Sequence, residues 1–427
     1  MRRSGSGLLA GAAALALGTA VAGGPSSPEG DERLPMAELE RLAEVYSRIK
    51  RDYVEEVPDE ALFRAAIRGM LSELDDHSDY LDDEALTELR EGTRGEFGGV
   101  GLELSRDGDL IRVVAPIDGT PASRAGLRAG DILLEVDGQG IRGDSLSDVT
   151  RRLRGEAGTS VAVTVLREDN GSSREQFRLE REIIQVDSVS SRLLEPGFGY
   201  VRISRFQERT ASDLLEAVEE LAEASGGALD GLVLDLRNNP GGILHAAISV
   251  ADAFLSGGRI VSTEGRVPDA QRVFEAGLGD VSYASPMAVL INRGSASGSE
   301  IVAGALQDHG RAVVMGQPTY GKGSVQSVLP LNGDAMKLTT ARYLTPQGRS
   351  IQDDGIEPDI RVEALRLAEA EPEDALAEAG VTDPEAAAIL AEEHEDEEAA
   401  DASLARDDYL LYQALSLLKG LHVVERR

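Results

Sequence analysis

Gly231-Leu232-Val233-Leu234-Asp235-Leu236 is a strand with almost no polar interruption. A strand with one face in water alternates, so a continuous apolar run has to be covered on both faces. The run ends in Arg237-Asn238-Asn239-Pro240-Gly241-Gly242, and Ile243–Leu255 follows with helical periodicity. Met287–Asn292 repeats the strand, the serine-rich Gly294–Ser299 opens a helix over Ser299–Gln307, and Ala312–Met315 is a further strand. A strand, Gly199–Ile203, and an amphipathic helix, Thr210–Ala224, precede them. This alternation predicts an α/β layered core with its functional loops at the strand ends.

The segments before and after the core have other characters. Met36–Asp52 and Asp59–Leu74 read as helices. From Gly95 to Glu182 short strands and glycine turns dominate: Leu110–Val114 and Gly130–Gly138 read as strands, Pro121–Leu127 as a short helix ending at glycine, Leu146–Arg154 as a helix and Ser160–Arg167 as an alternating strand. Ala364 to Asp407 is dominated by alanine and acid, as a solvated linker would be, and Tyr409–Leu418 regains an apolar face. At the start, Arg2 and Arg3 precede an apolar run, Leu8–Val21, and Ala20-Val21-Ala22 fits a small-residue cleavage site. The run is short for a membrane span, so export with cleavage, rather than retention as an anchor, is the expectation.

Charge and composition narrow the chemistry. The formal net charge of −33 argues against nucleic acid and anionic lipid as partners. The absence of cysteine excludes thiolate nucleophiles, disulfides and cysteine-bound zinc. None of the five histidines has a ligand spacing, so neither a metal nor another cofactor is expected.

Lysine is rare: Lys50, Lys322, Lys337 and Lys419 are the four in the chain. Lys322 sits in Tyr320-Gly321-Lys322-Gly323, 25 positions after Ser297 of the serine cluster. Where an amine must lose its proton arginine cannot serve, whereas burial can depress lysine. The pair therefore suggests a serine nucleophile activated by a lysine base. Ser297, between a buried strand and a helix, would place the helix N-terminal N–H groups beside a developing oxyanion. Ser297-Gly298-Ser299-Glu300 equally matches the S-x-x-E capping box, a structural device. If the strand resumes at Lys322, then Lys322, Ser324 and Gln326 share a face, and Gln326 could orient the amine.

Two stretches resemble known families. Ala125-Gly126-Leu127, Gly130-Asp131 and Val136-Asp137-Gly138 are similar to a PDZ domain of the bacterial protease type. That resemblance implies that Gly98, Gly99, Val100 and Gly101 present N–H groups to a peptide's terminal carboxylate, the peptide adding as a strand beside Leu102–Leu104. Gly294–Asp308 and Gly316–Gln326, with Leu234–Gly242 and Gly355-Ile356-Glu357-Pro358-Asp359, resemble the tail-specific or C-terminal processing peptidases, S41-type serine proteases, over about Met36 to Glu363. The resemblance implies an α/β multidomain fold: a layered protease core of crotonase/ClpP-like strand–helix repeats, an inserted PDZ-like β-rich domain and N-terminal helices. It implies Ser297 as nucleophile, Lys322 as base and Gln326 as its orienting residue. Gly241 or Gly242, with the Gly298 N–H, would form the oxyanion hole, and Arg154 would sense bound peptide. Relatives usually have alanine at the position of Gly298. Glu300 and Asp308 read as a cap and a helix-end residue.

The expected organisation is a signal peptide (1–22), an N-terminal linker and helical region (23–94), a PDZ-like domain (95–182), a protease core (183–363), an acidic linker (364–407) and a terminal helix (408–427). The expected function is an exported, periplasmic endopeptidase, envelope-associated, acting on proteins with apolar C-termini. A helical-repeat adaptor and a homo-oligomer are further partners the resemblance allows. Two other readings stand beside it: a catalytically inactive PDZ-type scaffold, and a Ser–His hydrolase using His245 or His309.

Overall fold

The computed structural model describes residues 34–167, 173–277, 279–282, 284–363 and 403–425. The expected export segment, residues 23–33 and most of the acidic linker lie outside them. The chain divides into two compact units at Ala66/Ile67. In the first, helix Met36–Asp52 lies against the beginning of Asp59–Ser72, with Tyr46 stacked on Phe63 at 5.2 Å and Lys50 paired to Asp59 at 2.7 Å.

The second unit is built on a six-stranded sheet. Its order is Val189–Glu195, Phe198–Ile203, Gly231–Asp235, Met287–Ile291, Val313–Gly316 and Ile360–Arg361, parallel throughout except for the first pair. Gly231–Asp235 and Met287–Ile291 are buried along their whole length. Leu232, Leu234, Met287, Val289 and Ile291 face helices Thr210–Ala224, Leu244–Asp252 and Gly298–Asp308. The alternate residues, Val233, Ala288 and Leu290, meet Leu411, Ala414, Leu415 and Leu418 of helix Tyr409–Glu425. The apolar run thus reflects two covered faces at a period of two.

A second sheet, antiparallel, runs Asp79–Leu81, Asp334–Leu344, Arg259–Gly265, Arg272–Glu275, with Ser324–Leu331 hairpinned onto Asp334–Leu344. The long strand Asp334–Leu344 and its short partner carry no strong sequence signal. In the long strand Lys337, Thr340, Ala341 and Tyr343 line a cavity, whereas Ala335 packs with Leu81 and Leu86 in a small core.

The β-rich segment forms an antiparallel sheet, Leu102–Asp107, Leu110–Pro116, Ile132–Val136, Ser160–Arg167, Ser173–Glu180. Val113, Val136, Val149, Val161, Val163 and Val165 fill its core. Asp131 of the Gly130-Asp131 pair is buried and takes both nitrogens of the Arg167 fork, at 2.8 and 2.6 Å. The chain enters and leaves this module through a ribbon, Glu96–Gly99 paired with Glu182–Gln185. Gly98 and Gly99 are therefore strand residues, and Val100 and Gly101 form the turn into Leu102–Asp107. Leu102 begins an edge strand whose outer side pairs with nothing among the described residues, and helix Leu146–Leu153 packs beside it.

Candidate active site

Two loops at the strand ends are laced together. After Gly231–Asp235, the Asn239 side chain accepts from the Gly241 N–H at 2.9 Å and donates to the Ile203 carbonyl at 2.9 Å. After Met287–Ile291, the Ser295 hydroxyl donates to the Leu236 carbonyl at 2.8 Å and the Ser299 hydroxyl to the Asn239 carbonyl at 2.8 Å. Ser295 and Ser299 are fully buried, whereas Ser297 lines an open cavity of about 620 Å³. Of the three serines, two stitch the loops and the third faces the cavity.

Ser297 holds φ 54°, ψ −109°, a corner that glycine ordinarily occupies. An ordinary helix cap lies in the β region. The capping pattern with Glu300 is nevertheless present, the Ser297 N–H donating to the Glu300 carboxylate at 2.6 Å. A cap alone does not require the strained corner, which turns the hydroxyl toward the cavity.

Glu300 does more than cap. It is fully buried, and the Thr319 hydroxyl (2.6 Å), the Gly321 N–H (2.7 Å) and the Lys322 N–H (2.9 Å) also donate to it. One carboxylate therefore holds the backbones of both Ser297 and Lys322. Burial pushes its carboxyl above the ordinary value, against the pull of its donors. Sequence reasoning took it as a cap; the converging donors come from a loop about twenty residues away and leave no local signature.

Lys322 lines the same cavity as Ser297 and Gln326. The strand resumes at Ser324, so Lys322 lies ahead of it, while Ser324 and Gln326 share a face within it. The Gln326 amide nitrogen donates to the hydroxyls of Ser324 (2.9 Å) and Thr339 (3.3 Å). The Lys322 amine makes no hydrogen bond or ion pair among the described residues. Burial depresses its pKa, the ammonium of Lys337 adds to the effect, and Glu300 and Asp75 oppose it. Flanking glycines are obligatory here: a Cβ on Gly321 would meet the Asp353 carbonyl carbon at 2.9 Å, and one on Gly323 the Gln352 nitrogen at 2.3 Å.

The glycine turn separates its two candidates. The Gly241 N–H is taken by Asn239. Gly242 lines the cavity, and neither its N–H nor that of Gly298, at the head of its helix, has a protein acceptor among the described residues. A Cβ on Gly241 would sit 2.8 Å from that of Ser297, and one on Gly242 2.0 Å from the Phe206 carbonyl oxygen. A Cβ on Gly298 would press the Phe206 ring at 2.9 Å, so glycine here relieves crowding against phenylalanine.

His309 Nε2 lies 2.7 Å from the Arg259 carbonyl, a packing role. His245 is at the cavity wall, edge-on to Phe274 at 6.0 Å, with no carboxylate partner among the described residues. Arg154 lies over the Phe97 ring at 4.6 Å and 3.7 Å from Glu91 of helix Asp83–Arg94, bridging the β-rich module to the helix that leads into it.

Comparison with known proteins agrees with this layout. The family description "Peptidase family S41" matches residues 197–362, "PDZ domain" 112–167 and "Activating protease CtpB N-terminal domain" 20–85. A carboxy-terminal-processing protease of Bartonella bacilliformis is 47% identical over 336 residues, 78% of this chain and 77% of its own. A probable CtpA-like serine protease of Staphylococcus aureus is 36% identical over 338 residues, 78% of this chain and 66% of its own. Among solved structures, a photosystem II D1 C-terminal processing protease aligns at 36% identity over 76% of this chain and 86% of its own, with a TM-score of 0.46.

Proposed function

Since the chain belongs to the S41 carboxy-terminal-processing proteases, serine-type peptidases with a PDZ domain, we propose that it cleaves proteins with apolar C-termini through a Ser297–Lys322 dyad. The observation that carries this is the strained Ser297 sharing a cavity with an unbonded, partly buried lysine amine. Neutral Lys322 takes the Ser297 proton as Oγ attacks the scissile carbonyl carbon. The N–H groups of Gly242 and Gly298 receive the oxyanion, and the new lysine ammonium protonates the leaving amine. Water then attacks the acyl-enzyme, with Lys322 again as base. Gln326 acts from the cavity wall, fixing the strand next to the lysine.

The substrate tail docks as an added strand on the free edge of Leu102–Asp107, its carboxylate at the Val100–Gly101 turn. Arg154, stacked on Phe97 and close to Glu91, transmits occupancy of that groove to helix Asp83–Arg94. Export to the periplasm is supported by the Arg2–Ala22 sequence; among the described residues no helix is long and apolar enough to cross a membrane.

The test is product mass spectrometry on a protein with an apolar tail, comparing wild type, Ser297→Ala and Lys322→Ala. Both variants lose cleavage and keep tail binding. Undiminished cleavage by Lys322→Ala would eliminate the dyad, and an inert wild type that still binds tails would favour the scaffold reading.

A further inference from the structure

Two of the four lysines are neutralised, Lys50 by Asp59 at 2.7 Å and Lys419 by Glu195 at 2.8 Å. The other two, Lys322 and Lys337, make no ion pair among the described residues, and they line the same cavity. They also share the adjoining one beneath helix Asp83–Arg94. In a chain with a net charge of −33, two lysine side chains without ion pairs among the described residues lining one hollow are not a product of composition.

The carboxylates nearby accept from neutral donors and form no ion pair with either lysine among the described residues. Glu300 takes three N–H groups and a hydroxyl. Asp75 takes the N–H groups of His77 and Ser78 and the Ser78 hydroxyl. Asp79, opposite Lys337 in the strand register, takes the Tyr80 N–H. Asp269, Arg272 and His245 also line the first cavity, and Glu88 and Arg205 the second.

We propose that Lys337 is a positioning residue of the proteolytic site: its ammonium, held by the strand Asp334–Leu344 on the wall of the cavity that Lys322 also lines, keeps the Lys322 amine unprotonated and so sets the pH above which the enzyme works. This rests on the Ser297–Lys322 reading. The physical basis is like-charge repulsion in a half-buried space, which disfavours the charged form of the more enclosed group. The direction of the Lys322 shift, to which Lys337 contributes after burial, agrees.

The experiment is the pH dependence of kcat/KM for the full chain on a fluorogenic peptide with an apolar tail. Removing the positive neighbour raises the Lys322 pKa, so the acid limb of Lys337→Met moves to higher pH. On the acid side the rate falls about tenfold per unit while the alkaline plateau stays. Lys337→Arg keeps the wild-type limb. An unmoved limb in folded Lys337→Met, an equal loss at every pH, or a rise in KM alone would each overturn the proposal. Lys322→Ala run in parallel separates the two readings: if it remains active the dyad itself fails, and if it is dead while the limb stays put only the role of Lys337 fails.

Discussion

Ser297 occupies a left-handed corner at φ 54° that costs an L-residue about 1–3 kcal/mol. Glycine takes that corner without strain but brings an entropic cost of about 0.5–1 kcal/mol. Ser297→Gly is therefore expected to be inactive yet more stable than Ser297→Ala by about 1 kcal/mol, read as a rise of about 2 °C in thermal midpoint. A midpoint equal to or below that of the alanine variant removes the strain argument. The serine–lysine pair was legible in the sequence because lysine is scarce and the serine sits between a buried strand and a helix. The same scarcity pointed to Lys337, but a residue in a polar-apolar strand without a motif gave no reason to join it to the site. Ser324 was legible as a neighbour of Gln326 from the period of two, and Thr339 was not, since a register shift on the partner strand cannot be read from alternation.

At the scale of elements, the helix Gly298–Asp308 and the lysine loop are held in register by the Glu300 carboxylate. Glutamine at this position has one acceptor oxygen and turns an N–H₂ toward groups that are themselves donors. Leaving buried donors unmet costs about 1–3 kcal/mol each, and a displacement of about 1 Å between reacting groups costs about a hundredfold in rate. Glu300→Gln is expected to lower kcat by about that factor with little change in KM, measured on a short peptide. A variant that keeps wild-type kcat shows Glu300 to be only a cap. The strands and helices of the core were legible because apolar period and glycine punctuation agree. The loop-to-loop lacing was not, because its partners are distant in sequence.

Across the whole molecule, the helix Tyr409–Glu425 is joined to the core by an ion-pair chain as well as by apolar contact. Arg237, in the turn that leads to Gly241-Gly242, bonds Asp235 at 2.6 Å and Asp408, just ahead of the helix, at 2.6 and 2.8 Å. Burial works against ionisation of Asp408, but the Arg237 guanidinium outweighs it and holds the carboxyl below its ordinary value of 3.8. A depressed folded pKa contributes stability in full above the unfolded value and loses it as pH falls through the folded one. Wild type is accordingly expected to lose stability below about pH 3.8 more steeply than Asp408→Asn, followed by thermal midpoints from about pH 6 to about pH 3. Parallel slopes for the two proteins would leave the pair without a role in attaching the helix.

The two-stranded ribbon Glu96–Gly99 with Glu182–Gln185 brings the β-rich module's inlet and outlet side by side. A module mounted on a single such stem can be lifted out and replaced by a short hairpin turn, or exchanged for another of the same kind, without rethreading the catalytic half. Under the proposed function, what is held and what is cut would then be altered by separate changes, joined where Arg154 meets Glu91 and Phe97.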